Sequence, residues 1–332
     1  MVAMANILKA SAGHLRPFDI RRDLHDVADL VELCFAETLD RDGQRYVKQM
    51  REAAHNNLFI HWASSMGERA SLPLTGYVWE ESGRLVGNLS LIPFFLRGRR
   101  CYLIANVAVH PEFRRQGIAR ALTTRALEHI HSRQARAAWL HVREENDPAL
   151  RLYLSLGFQE RARRTTWHSL PSRMEPFPTP FLNPTYQVDI QAGGSWHWPE
   201  QHDWLMRIYP PEIAWHLPLN MSALSPNLWG AIYRMFSGIQ VRHWVARRGQ
   251  AFLAALVWQN NHAYSDSFWL AAPPEADGPV ITLLLHSARQ SLSPRRNVSL
   301  DFPAGSFVQD IRAAGFQMHH TLIWMELNFH SK

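Results

Sequence analysis

Residues 107–122 read VAVHPEFRRQGIARAL. An apolar strand pattern over 101–109 stops at His110-Pro111, and a helical pattern starts at Gly117. Pro111 has no N–H to give to a ladder and helps end the strand. The run Arg114-Arg115-Gln116-Gly117-Ile118-Ala119 then falls where a helix begins. First-turn N–H groups have no internal partner, and the dipole adds about half a positive charge there. A phosphate or pyrophosphate fits such a place. Gly117 and the small Ala119 let backbone approach an anion, and Arg114, Arg115 and Arg120 add charge beside it. Taken alone, these residues also read as an ordinary basic loop before a helix. Neither Gly-x-x-x-x-Gly-Lys nor Gly-x-Gly-x-x-Gly is present.

Working outward, 15–20 reads as a first strand and 22–35 as a helix with Leu24, Val27, Leu30, Val31 and Phe35 on one face. Asp23 is its expected cap. A polar helix is expected over 44–56. Strands over 75–80 and 85–95 flank the turn Glu81-Ser82-Gly83-Arg84. The helix over 117–132 is followed by a strand at 137–143 and a short helix at 148–156. Asp147 precedes that helix, Pro148 opens it and Gly157 closes it. A strand returns over 158–169. Five prolines between 171 and 184 form a stiff connector.

Beyond the connector the order strand, strand, helix, strand, helix, strand recurs at an offset of 158 residues. Gly157-Phe158 then falls on Gly315-Phe316, and Ser306-Phe-Val-Gln309 reads as a capping box. The expected strands are 250–259, 264–270 and 298–300, with a helix at 279–292.

The chain has 332 residues and suits two domains. Apolar residues make up 46% and charged residues 19%, which excludes a disordered chain. No apolar run reaches the roughly 20 residues that span a bilayer. The opening MVAMANILKASAGHLRPF carries one Lys and no continuous apolar core, so no secretory signal is expected. Cys34 and Cys101 form no spacing motif, and the expected setting is the cytoplasm. The net charge of +6 comes from paired, scattered arginines, so no nucleic-acid or membrane partner is expected. No metal site is expected either. His129/His131 and His319/His320 lack ligand spacing and read as surface or packing residues.

The segment Arg114 to Ala119, R-x-x-G-x-A, resembles the cofactor motif of the GCN5-related N-acetyltransferase (GNAT) superfamily. The preceding V-A-V, the later Asn146, Tyr153, Gly157 and Phe158, and the opening R-P-F-D-I-R-R-D-L-H-D-V-A-D-L match as well. The resemblance covers residues 15–170 and is weak beyond them. It implies an α/β protein of two tandem GNAT-like domains, each a mixed, mostly antiparallel sheet flanked by helices. The implied layout is a catalytic domain over 1–170, a proline-rich linker over 171–185 and a degenerate domain over 186–332.

The resemblance also implies roles. Val107, Ala108 and Val109 lie along the pantetheine arm of acetyl-CoA, paired through the backbone of Val107 and Val109 as an added strand would be. The two strands splay where the cofactor enters. Arg114, Arg115, Gln116, Gly117, Ile118, Ala119 and Arg120 hold the pyrophosphate. Asn146 falls near the pantetheine, and it also reads as a turn residue before a helix. Tyr153 is the acid that protonates the departing thiolate; a packed helix Tyr is the other reading. His141, in L-H-V-R-E-E-N, stands where enzymes that acetylate ribosomal-protein N-termini have a Glu base. The unperturbed imidazole pKa of about 6.5 suits a base, and a packed His beside Trp139 is equally open. Glu144 and Glu145 are spare bases, and Glu80 and Glu81 read as solvated.

The second half has Ile311 for Tyr153, Ala304 for Asn146 and Ser299 for His141 at that offset, with Glu275 and Asp277 near the place of the arginines. Carboxylates repel a pyrophosphate, so that half is expected not to bind CoA. Its tryptophans (Trp196, Trp198, Trp204, Trp215, Trp229, Trp244, Trp258, Trp269) are expected in its core. The expected activity is direct acetyl transfer from acetyl-CoA to a primary amine. A mycothiol-synthase-like acyltransferase and an acyl-CoA sensor without turnover are the alternatives.

Overall fold

The computed structural model describes residues 13–39, 41–55, 75–169, 188–261, 265–292 and 297–329. The connector expected at 171–185 lies outside them. The chain folds as two compact units. One comprises Met1–His141, Asp147–Gln159 and Met325–Lys332, the other Val142–Asn146 and Glu160–Trp324. The units are not divided by one cut in the sequence, because each takes chain from both sides of the connector.

The first unit is built on β1 (His14–Pro17), β2 (Thr75–Glu81), β3 (Arg84–Leu96), β4 (Arg99–Val109) and β5 (Ala137–Arg143, its last two residues in the other unit). They lie side by side in sequence order. The first four pair antiparallel, and β4 pairs parallel with β5. Ser82 and Gly83, both at positive φ, make the tight β2–β3 turn. Helices α1 (Ile20–Phe35) and α2 (Arg41–Ala54) bury Leu24, Val27, Val31, Val47 and Met50 against Val78, Leu85 and Ala108. Helix α3 (Ile118–Ser132) packs on β2, β3 and β4. A Cβ at Gly87 would meet Ile118 Cγ2 at 2.8 Å, so this glycine is what lets α3 lie close to the sheet.

The start of α1 differs from expectation. The first strand ends at Pro17, and Asp19, not Asp23, is the N-cap, accepting from Arg21 N at 2.9 Å. Asp23 lies inside the helix. It accepts from Asp19 N at 2.8 Å and pairs with Arg16 at 2.7 Å, so the buried carboxylate is matched on both sides.

The second unit orders its strands β12-β6-β11-β10-β9-β8-β7. In chain order these are β6 (Gln159–Ser169, its first residue in the other unit), β7 (Asp189–Ala192), β8 (Val241–Arg248), β9 (Ala251–Gln259), β10 (Asp266–Ala271), β11 (Val298–Pro303) and β12 (Gln317–Asn328, here as far as Trp324). Its helices include α4 (Trp198–Ile208), α5 (Leu228–Ser237), α6 (Gly278–Gln290) and α7 (Val308–Ala313). Val280, Ile281, Leu284, Leu285 and Ala288 of α6 pack on Leu256, Phe268, Leu270 and Leu300. Trp204, Trp258 and Trp269 are buried, whereas Trp196 and Trp229 are 64% and 76% exposed and do not belong to the core.

Helix α8 (Asp147–Ser155), in the first unit, has its counterpart in α7. The 158-residue repeat shows in their ends. Gly157 and Gly315 sit at φ +92° and +87°. Phe158 N donates to Tyr153 O, and Phe316 N to Ile311 O, at 3.1 and 3.3 Å. This is the bond pattern of a glycine-closed helix whose next residue folds back. The capping box expected at Ser306 does not form: Phe307, at φ +50°, is the N-cap of α7 and makes no side-chain cap.

Burial pushes His243 down to about 4, and it lowers His197, His216 and His286 as well. An unfolded chain takes these protons near pH 6.5 and the folded unit resists until lower pH, so stability falls as pH drops from about 6.5 toward 4. Thermal unfolding followed across that window is expected to show a falling midpoint. His243→Gln is expected to flatten the dependence.

Candidate functional site

The parallel ladder between β4 and β5 runs only from Cys101↔Ala137 to Ile104↔Leu140. Strand β4 continues to Val109 without β5 beside it, and His141 is the first β5 residue past the last pair. The two strands therefore fork, as expected, at a point flanked by Ala105 on one side and His141 on the other. Along β5, His141 alternates onto the same side as Trp139.

Beyond β4 the chain makes a single 3-10 turn over Pro111–Phe113 and enters the basic loop. Arg115 and Gly117 both take positive φ, +62° and +82°. Alternating backbone hand of this kind makes anion-binding concavities. Gly117 is the N-cap of α3 and supplies no side chain, so the first-turn amides have no side-chain cap. A Cβ at Gly117 would meet nothing within 4 Å. The loop is exposed from Arg114 to Gly117, Ala119 is half-buried and Ile118 is core. These features fit the diphosphate of a nucleotide-like ligand.

The arginines differ in what they do. Arg114 Nε donates to Val109 O at 3.2 Å, and that carbonyl also accepts from Cys34 Sγ at 3.3 Å. Arg120 reaches Ser155 Oγ at 2.7 Å and ties α3 to α8. Arg115 is exposed and makes no ion pair among the described residues.

Tyr153 is 6% exposed, packed edge-on against Phe158 at 5.9 Å. Burial raises its pKa well above the usual phenol value. The hydroxyl therefore stays protonated at neutral pH, which suits a donor and rules out a base. Asn146 is exposed, and its N–H closes a turn onto Arg143 O at 2.9 Å. Val107–Val109, Arg114–Arg120, His141 and Tyr153 all belong to the first unit, whereas Asn146 belongs to the second.

The acidic residues are engaged. Glu144 pairs with Arg163, and Glu145 with Arg143 at 3.4 Å. Glu80, read as solvated, instead pairs with Arg16 and Arg22 at 2.8 and 2.7 Å. The Arg16 hydrogen bond holds its carboxyl below the ordinary range. Glu81 is half-buried and accepts from Trp79 Nε1 at 3.4 Å. What the sequence reading passed over is a polar group on the other side of β4: Tyr46, Asn88 and Ser90 around Asn106. The signal available was an asparagine inside the apolar run CYLIANVAV.

The second unit has the same fork, since β10 and β11 pair parallel only from Asp266↔Val298 to Phe268↔Leu300. Here it is filled. Tyr209, fully buried, donates to Asp301 O at 3.0 Å, lies in hydrogen-bond reach of the Leu270 backbone and stacks edge-on with Trp269. Arg164, 3% exposed, pairs with the Asp301 carboxylate and covers the Tyr209 ring at 4.9 Å. At the start of α6 a Cβ on Gly278 would lie 2.3 Å from Asp310 Oδ1, so a carboxylate of the chain already occupies that corner. Asp277 is the N-cap residue of α6, makes no side-chain cap bond, and faces Arg248 at 3.7 Å.

The matches to known proteins agree with this geometry. Residues 25–158 match the acetyltransferase (GNAT) family model. A segment of 63 residues is 40% identical to the [ribosomal protein bS18]-alanine N-acetyltransferase of Escherichia coli (strain K12), covering 19% of this chain and 43% of that protein. The chain thus spans less than half the length of that relative. A segment of 53 residues is 45% identical to the mycothiol acetyltransferase of Thermobifida fusca, covering 16% of each. In fold, the chain resembles a GCN5-related N-acetyltransferase from Sphaerobacter thermophilus, with TM-score 0.56, 14% identity and 95% of both chains covered. Residues 25–158 are thus similar to the GNAT family, and the likeness in fold extends over the chain. The order of strands and helices occurs twice along the chain, and no residue beyond 158 lies in the matched region.

Gly117 owes its role to φ alone, since a side chain there meets no atom. Gly117→Ala is expected to cost about 1 kcal/mol of stability, because most L-residues are strained in the left-handed region. Gly117→Asn is expected to cost less. Urea unfolding of both variants measures the difference; equal losses would mean that φ is not what selects glycine.

Proposed function

We propose that the first unit moves an acetyl group from acetyl-CoA to a primary amine by direct attack. The observation that carries this reading is the β4–β5 fork beside an uncapped, left-handed helix start. Identity to named acetyltransferases over part of the chain supports it. In the proposed complex, Val107 and Ala108 flank the pantetheine arm, with Val109 giving less because its carbonyl is already used. The amides of Gln116 to Ala119 hold the diphosphate, with Arg115 the guanidinium free to join them and Arg114 and Arg120 close by.

The amine nitrogen attacks the thioester carbonyl carbon, its proton passing to His141 directly or through water. The carbon–sulfur bond breaks, and Tyr153 gives its proton to the sulfur. His141 then releases its proton to solvent and Tyr153 is reprotonated from solvent, so no net proton is gained. No covalent enzyme intermediate is needed. The proposed division of labour is catalysis in residues 1–170, a linker over 171–185 and a CoA-free domain over 186–332, in a cytoplasmic enzyme. The plug at Tyr209 and the carboxylate at Gly278 support a single cofactor per chain. The acceptor is left open among amino acids, small amines, peptide N-termini and Lys side chains.

A second reading, a CoA-binding sensor without turnover, draws on the ion pairing of Glu80, Glu144 and Glu145, which engages three carboxylates that could have served as a base. Calorimetry with acetyl-CoA is expected to give one site per chain, and Gly117→Glu is expected to abolish it. A thiol-release assay over an amine panel is expected to show turnover that Tyr153→Phe slows roughly 100-fold while binding hardly changes. Binding with no release on any amine would favour the sensor; no binding would end both readings.

A further inference from the structure

Strands β3 and β4 keep register from Leu96↔Arg99 to Ser90↔Ala105, and pair again at Asn88↔Ala108. Asn106 and Val107 therefore stand opposite Leu89 alone, which makes a β-bulge. Asn106, the first bulge residue, sits at φ +51°. Most L-residues resist that conformation; glycine adopts it freely and asparagine tolerates it.

Three hydrogen bonds converge on this residue. Asn88 Nδ2 donates to Asn106 O at 2.9 Å, and Asn88 is 1% exposed. Asn106 Nδ2 donates to the Tyr46 hydroxyl at 3.0 Å and, less closely, to Ser90 Oγ at 3.4 Å. The main-chain oxygen and the side-chain amide of Asn106 are thus gripped from two neighbours, α2 and β3. Burial raises the pKa of Tyr46, so its hydroxyl stays neutral.

We propose that Tyr46 and Asn88 latch Asn106 in the left-handed region, and that this latch sets the direction of the Val107 backbone as it enters the fork. The inference rests on the reading above, in which Val107 flanks the pantetheine arm. Tyr46, Asn88 and Asn106 are positioning residues: they act on the cofactor only through the backbone that follows the bulge. Without the latch an ordinary residue at 106 relaxes toward extended φ, and the next peptide turns with it.

The test is the affinity of the full-length chain for acetyl-CoA by calorimetry. Asn106→Ala is expected to weaken binding about tenfold, since alanine has neither the side-chain bonds nor tolerance of positive φ. Asn106→Gly is expected to stay within about threefold of the parent, because glycine takes the conformation unaided. Tyr46→Phe is expected to weaken the parent, yet to cost nothing further when added to Asn106→Gly. A merely structural role would not produce that reversal. If Asn106→Gly binds as weakly as Asn106→Ala, or Tyr46→Phe is equally harmful in both backgrounds, the latch is overturned. Should Asn106→Ala fail to fold, the two Tyr46→Phe comparisons decide. A parent chain that binds no acetyl-CoA at all would sink the functional reading instead, which is a separate outcome.

Discussion

A parallel ladder that stops early is the constraint on which the site depends. Past Ile104↔Leu140, β4 has β3 on one side and no strand on the other. Backbone amides and carbonyls left without a ladder carry a cost unless water or a ligand meets them. The bulge at Asn106 shifts the β3–β4 register by one residue, and Gly117 turns the chain straight into α3. Strand end and helix start thus belong to one device: each leaves main-chain groups without a ladder or a side-chain cap within a short stretch of sequence.

The second unit shows what happens when the same device is closed. Its fork is intact in topology, but Tyr209, Trp269 and the Arg164–Asp301 pair fill it. Those groups are buried and mutually satisfied. Removing one partner would strand a buried charge, which is far more costly than the pair is stabilising. In the second unit core stands where the first has a fork, and it is held by polar groups more than by apolar filling.

Much of this was legible in the chain. The order of strands and helices followed from periodicity, and Gly83, Gly117, Gly157 and Gly315 all mark positive φ. The basic loop read before a helix is there, with Arg115 and Gly117 at positive φ ahead of α3. What was not legible depends on partners distant in sequence. Asp23 reads as a cap until Arg16 is seen beside it, and Glu80 reads as solvated until Arg16 and Arg22 converge on it. Tyr46 lies 60 residues from Asn106, and no local pattern joins them. Tyr209 gave no sign that it would stand in the second fork. Ser306 had the right spacing for a capping box, but the backbone of Phe307 took the turn instead.

The exchange of chain between the units bears on how the protein is made. The first unit counts residues 325–332 among its own, and Phe329 N donates to Arg136 O at 2.9 Å beside the start of β5. Domains usually mature in the order in which the ribosome delivers them. Here the amino-terminal body waits for a segment translated some two hundred residues later than its own helix α3. Until that segment emerges, the nascent sheet keeps an open edge, and a chaperone has a reason to hold it.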